Sequence, residues 1–321
     1  MTKQTKQWLI SATFLTVTGA LLFGGVMAMF NWNFTKLSTR KYETNTYNVQ
    51  EKYQHISVIT DTADVVFLPH DGASSSITCY EAKNSKHSVS VQDGTLVVEV
   101  VDTRKWYEHI GFTFDTPTVT VYISQGQYGR LSVKSDTGDV KIPKEFTFES
   151  IEVNTSTGDV ANAASASSFI KIKASTGNIT TQNVSSNALD ISVSTGKIRV
   201  TDVVCGGDIH VGVSTGKTNL TNITCQNLTS NGNTCDLFLK NVVASQTFSV
   251  ERSTGDVKLE KCDASTIGIK TDTGSVKGTL LSDKVFIAQT DTGNVNVPKT
   301  TTGGKCEIIT DTGNIHIQIE P

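Results

Sequence analysis

Beyond residue 130 the apolar positions of this chain follow two nested periods. Within short segments they alternate, as in Ile170-Lys171-Ile172 and Leu189-Asp190-Ile191, the two-residue period of a strand with one buried face. The same segments return every 19 or 20 residues, each time beside a short polar turn. The first turn reads Ser135-Asp136-Thr137-Gly138-Asp139-Val140, and variants follow at Gly158, Gly177, Gly196, Gly216, Gly255, Gly274, Gly293 and Gly313. Between Gly216 and Gly255 the motif is Asn233-Thr234-Cys235-Asp236-Leu237, with Cys235 in the glycine slot. A fixed period this short predicts a solenoid, because one repeat cannot bury a core and must stack on its neighbours.

Aligning the repeats on the glycine exposes the columns of the core. Two residues past it stand Val140, Val160, Ile179, Ile198, Leu237, Val257, Val276, Val295 and Ile315, with Thr218 as the exception. Five before it come Val153, Ile172, Ile191, Val211, Val250, Ile269 and Ile308, with Ser230 and Ala288 as weaker members. Each coil is then two or three short strands joined by tight corners. Glycine suits a corner with positive φ. The threonine before it, present in all ten copies, is expected to pair its hydroxyl with neighbouring backbone. Thr62-Ala63 reads as an eleventh, degenerate copy.

Residues 53–130 break the period. Segments 55–59, 75–80, 87–91, 95–101 and 118–124 read as strands, Asp93-Gly94 as a hairpin turn, and the whole as an N-terminal β cap. The loop from Asp102 to Pro117 gathers Trp106, Tyr107, His109, Phe112 and Phe114, either a docking loop or a flap folded onto its own sheet. The expected fold is all-β: a parallel β-solenoid of about ten coils over 131–321, capped by 53–130, behind a polar stalk at 31–52.

Trp8 to Phe30 carries no charged side chain over 23 residues, enough at ~1.5 Å per residue to cross a ~30 Å hydrocarbon core. Residues 1–30 are therefore expected to form a short basic N-terminus and a single membrane anchor. Lys3 and Lys6 would stay inside and leave the solenoid extracytoplasmic. A cleaved signal peptide is the competing reading, since Val26-Met27-Ala28 fits a small-residue cleavage site. Charged residues are only 18% of the chain, net charge is −3, and there is no basic stripe, which argues against a nucleic-acid partner. The six histidines are scattered without metal-ligand spacing. Cys79, Cys205, Cys225, Cys235, Cys262 and Cys306 include no C-x-x-C pair and read as small buried hydrophobes, with a Cys205–Cys225 bridge between adjacent coils left open.

Three enzymatic or metal-binding chemistries have partial signatures in the sequence. Asp-Thr-Gly at Asp136, Asp272, Asp291 and Asp311 is the signature of aspartic proteases, which need two converging carboxylates. Here serine replaces the aspartate in five copies, so the slot needs only a polar turn residue. Asp139, Asp159, Asp236 and Asp256 suggest a calcium ladder, but Lys197 and Lys217 occupy the same column. A polysaccharide lyase would need an acid and base set that departs from the repeat. The reading names no catalytic residue, cofactor or metal, and the turn glycines count as structural.

The run from Lys270 to Ile315, with Thr-Asp-Thr-Gly-Ser-Val and Thr-Asp-Thr-Gly-Asn-Val at its centre, resembles the "putative adhesin" family of bacterial envelope proteins, a domain-of-unknown-function family. The resemblance spans about residues 53–321, and Cys235 and Ala63 depart from its turn glycine. It implies a β-solenoid behind one membrane helix and lends no catalytic residues. Two functions follow as expectations: a non-enzymatic surface scaffold binding an envelope protein or surface ligand, or an accessory regulator of an envelope-stress response. Ile315, Ile317 and Ile319 lie near the end of the sequence, so either Glu320 and Pro321 blunt that edge or it docks a second copy end to end or a partner strand.

Overall fold

The computed structural model describes residues 2–33, 40–72, 74–104 and 115–320. A single helix, α1 (Lys3–Met29), precedes the β structure. The strands of the N-terminal region are β1 (Tyr42–Val49), β2 (His55–Thr60), β3 (Asp64–His70), β4 (Ser75–Ala82), β5 (Ser85–Gln92), β6 (Thr95–Asp102) and β7 (Thr118–Ser124). The repeats supply β8 (Gly126–Thr137), β9 (Val140–Ile142), β10 (Phe146–Thr157), β11 (Val160–Asn162), β12 (Ser165–Thr176), β13 (Ile179–Ser186) and β14 (Ala188–Cys205). They continue through β15 (Asp208–Thr254), β16 (Val257–Thr273), β17 (Val276–Leu280), β18 (Lys284–Thr292), β19 (Val295–Asn296), β20 (Gly304–Thr312) and β21 (Ile315–Ile319).

The repeats stack in parallel and in register, as their columns require: Val153 pairs with Ile172 and Val133, and Ile172 with Ile191. The inward columns are buried from Val133 to Ile308, one continuous core. All nine turn glycines have φ between 139° and 158°. Their absent side chain matters twice, because a Cβ on Gly158 would also lie 2.1 Å from the carbonyl oxygen of Gly138 in the next coil. Six of them, Gly138, Gly158, Gly177, Gly255, Gly274 and Gly313, donate the backbone N–H to a neighbouring threonine carbonyl, as Gly158 does to Thr176 at 3.0 Å. The threonine hydroxyls do not have the expected role: Thr137, Thr157 and Thr176 are exposed. The residue two positions earlier takes it, Ser135 Oγ donating to the Thr137 carbonyl at 3.1 Å.

A second corner, six residues past the glycine, escaped the sequence reading. Asn183, Asp202, Asn222, Asn241 and Lys261 all have φ near +54°, between 51° and 55°. Asparagine and aspartate tolerate this left-handed region best among residues with a side chain. They also form a ladder, Asn222 Nδ2 donating to Asp202 Oδ1 at 2.7 Å and Asn241 Nδ2 to Asn222 Oδ1 at 2.9 Å.

Chain order and stacking order part company at both ends. At the N-terminal end β2 lies between β6 and β8, and β3 between β7 and β9, so Ala63 continues the glycine column. Antiparallel strands close this end: β5 on β6, β4 on β7, and β1 on β4. Residues 42–49, read from the sequence as stalk, thus belong to the folded domain.

At the C-terminal end β20 pairs with both β16 and β18, and β21 with both β17 and β19. The last coil in sequence is therefore inserted beneath the one before it. This overturns the expectation of an open edge at Ile315 and Ile317, which are 1% and 2% exposed. The outermost coil is β18–β19, where Val295, in the inward column two past the glycine, is 44% exposed. The inserted coil is thin where it enters, at Gly303-Gly304, and a Cβ on Gly304 would lie 1.9 Å from the Ser265 carbonyl oxygen. Lys284, in β18, pairs with Gly304 and carries its buried ammonium to Asp263 at 2.6 Å.

Candidate functional site

A groove lies just past the glycine corner of β15, β16 and β17. It encloses about 340 Å³. Strand register sets its floor: Leu237, Val257 and Val276 point inward in one column, while Phe238, Lys258 and Lys277 stand in a row on the outer face. Lys258 places its ammonium 5.3 Å from the centre of the half-buried Phe238 ring, a cation–π contact. Lys217 reaches Asp236 at 3.7 Å, both well exposed, so the pair contributes little stability. Lys277 has no ion-pair partner among the described residues.

The carboxylates beside this row serve the backbone. Asp236 Oδ1 accepts the amide of Asp256 at 3.2 Å, and Asp256 Oδ1 accepts that of Ser275 at 2.8 Å. The same device runs at the other end, where Asp64 accepts Asp139 N and Asp139 accepts Asp159 N at 2.8 and 2.7 Å. The column proposed as a calcium ladder is thus a ladder of corner caps. Asp272, Asp311 and Asp291 also fall in one row across adjacent coils, but each is exposed rather than sharing a buried proton.

One buried cluster offers metal-ligand chemistry. Cys79, Glu81 and His87, on β4 and β5, bring a thiol, a carboxylate and an imidazole within 4.8 Å of one another. Glu81 Oε2 accepts from His87 N at 2.6 Å and from Nδ1 at 2.8 Å; Asn45 donates to Oε1 at 2.7 Å; Thr60 faces His87 Nε2 at 3.0 Å. Every nitrogen and oxygen of this Glu–His pair has a protein partner. The set is complete as a polar tie between β1, β2, β4 and β5. Burial and the nearby Glu81 push the Cys79 thiol up to about 12. All six cysteines are free and buried, so the structure has no Cys205–Cys225 bridge.

A family model described as Toastrack DUF4097 matches residues 53–216 and 206–321. The chain belongs to the Toastrack family. Solved structures similar to this Toastrack chain include a "Putative lipid binding protein" from Parabacteroides distasonis, 16% identical, covering 74% of this chain and 97% of that one with a TM-score of 0.48. Two more are described as a "putative adhesin": one from Parabacteroides merdae at 12% identity, TM-score 0.45, covering 87% and 96% of the two chains. The other, from Bacteroides fragilis, is 14% identical with a TM-score of 0.35, covering 88% and 98%. No curated protein matches the sequence.

In the Toastrack chain the predicted glycines form one column, while the aromatic loop carrying Trp106, Tyr107, Phe112 and Phe114 lies outside the described residues. The groove was missed because Phe238, Lys258 and Lys277 are 20 and 19 residues apart and meet only across coils. The signal was present three residues past each turn, where a phenylalanine and two lysines follow Asn219.

Proposed function

We propose that this Toastrack chain is a non-enzymatic, membrane-anchored binding module of the bacterial envelope, displaying its solenoid outside the cell and holding an anionic glycan polymer in the groove of β15–β17. The observation that carries the reading is the row of Phe238, Lys258 and Lys277. An aromatic face takes the apolar side of a sugar ring, and ammonium groups at coil spacing meet repeated negative charges along a chain. A solenoid suits such a ligand, because its faces are long and regular. The anchor rests on α1, one helix of 27 residues, long and apolar enough to cross a membrane.

Full-length protein in detergent is tested against dextran sulfate and neutral dextran of equal length. Binding should favour dextran sulfate, weaken with salt, and fall about ten-fold in Phe238→Ala and in the Lys258→Glu/Lys277→Glu double variant. Equal binding of both polymers, or variants that bind as wild type, would reject the groove as the site.

A further inference from the structure

The core of the N-terminal cap contains three groups of different chemistry at one point. Cys79 and Glu81 stand two residues apart on β4, so both side chains lie on its buried face. β5 brings His87 beside them, and the three residues are 0%, 1% and 5% exposed. A sulfur, a carboxylate oxygen and a ring nitrogen thus lie within 4.8 Å of one another. Among the described residues no other three Cys, His, Asp or Glu side chains gather this closely.

The cluster closes on itself without an ion, yet its partners sit behind the ligand atoms. Thr60 Oγ1 lies 3.0 Å from His87 Nε2, and Asn45 Nδ2 donates to Glu81 Oε1 at 2.7 Å. Nδ1 and Oε2 are left facing each other at 2.8 Å, with the Cys79 thiol alongside. Metal sites use such outer contacts to fix the ring tautomer and aim the carboxylate. The threonine hydroxyl can accept from Nε2–H as well as donate to Nε2, so the tautomer that frees Nδ1 keeps its partner.

We propose that Cys79, Glu81 and His87 form a binding site for one zinc ion. The ion takes the place of the hydrogen bond between Nδ1 and Oε2: the ring proton is carried on Nε2, and the thiol proton is released to solvent. Thiolate and carboxylate then cancel the double positive charge, and the imidazole stays neutral. The buried site therefore gains no net charge, which a monovalent ion would not achieve. Magnesium and calcium take oxygen ligands, whereas a sulfur, nitrogen and oxygen set suits zinc. Zinc bonds of about 2.0–2.3 Å draw the three ligand atoms together by on the order of 1 Å.

A cleft of about 20 Å³, room for a single water, reaches Thr60, Glu81 and His87 and gives the ion a way in. Arg40 and Arg104 share that cleft, Arg104 with its guanidinium 3.9 Å from Asp61. A cation is held beside them only by ligands that cancel its charge, as Cys79 and Glu81 do. The bound ion would tie β4 to β5 directly, and to β2 and β1 through Thr60 and Asn45.

Full-length protein in detergent is stripped with a chelator and titrated with zinc chloride. It should take up one zinc per chain and melt at a higher temperature once loaded. Cys79→Ala and Glu81→Gln should each weaken binding by about 10–100-fold, whereas Cys262→Ala should bind as wild type. X-ray absorption at the zinc edge should show one sulfur ligand together with imidazole. Failure to take up zinc, a zinc spectrum without sulfur or without imidazole, or a folded Cys79→Ala protein that binds as tightly as wild type overturns the proposal. If the variants do not fold, the stoichiometry and ligand set of the wild-type protein decide by themselves.

Discussion

At the scale of single residues, the molecule turns on what a Cβ would strike. Gly274 has φ of 158°, and a Cβ there would sit 2.1 Å from the Gly255 carbonyl oxygen. Ser275, its neighbour, is half-buried and gives one side-chain hydrogen bond, accepting from Asn314 N at 3.3 Å. Gly274→Val should therefore cost on the order of 3 kcal/mol or more, and Ser275→Val about 0.5 to 1 kcal/mol. Thermal melting of the two full-length variants checks this; equal midpoints would contradict the stacked corner. Cys235 and Ala63 occupy the same column without a positive φ, which is how each keeps a side chain there. The glycine corner could be read from the sequence because one residue type recurred at one spacing. The second corner could not, because Asn, Asp and Lys share its conformation and only asparagine hints at it.

At the scale of elements, the decisive fact is that β20–β21 lies inside the stack and β18–β19 outside. Val295 and Ile315 both stand two residues past the turn glycine, in the inward column, yet one is 44% and the other 1% exposed. Ile315→Asp should cost about 3 kcal/mol or more by burying an unpaired charge, while Val295→Asp costs about 1 kcal/mol or less. Sequential stacking would give the opposite ranking, so the two melting temperatures discriminate between the topologies. Nothing in the local pattern distinguishes Asp291-Thr292-Gly293-Asn294-Val295 from Asp311-Thr312-Gly313-Asn314-Ile315. Each string specifies a coil, and neither specifies its neighbour. The distinction resides in Gly303-Gly304 and in the reach of Lys284 to Asp263, whose meaning appears only once the coils are stacked.

At the scale of the whole molecule, one end is closed by antiparallel strands and tethered through residues 30–41 to α1, and the other ends in a bare coil. The proposed orientation puts the chain that follows α1 outside the cell. Protease added to intact cells should release a fragment beginning near Tyr42 and leave α1 in the membrane. Full protection of the chain would place the solenoid inside, and a mature N-terminus at Met29 would show a removed leader instead. The groove was less legible than the fold for a physical reason. Periodicity reports what every coil shares, whereas Phe238 and Lys258 matter because their side chains differ from their columns and meet across one coil.

The interleaved end also imposes an order in time. A chain that emerges from its N-terminus presents residues 284–296 before residues 304–319. At that moment the parallel edges within reach are β16 and β17, the same edges that the last segment occupies in the finished protein. An early stack of β18 on β16 is a kinetic trap with nearly native hydrogen bonding, and escape from it requires a whole coil to peel away. Maturation of this protein therefore waits on the segment from Gly304 to Ile319: until it arrives, the penultimate coil has no native seat to take.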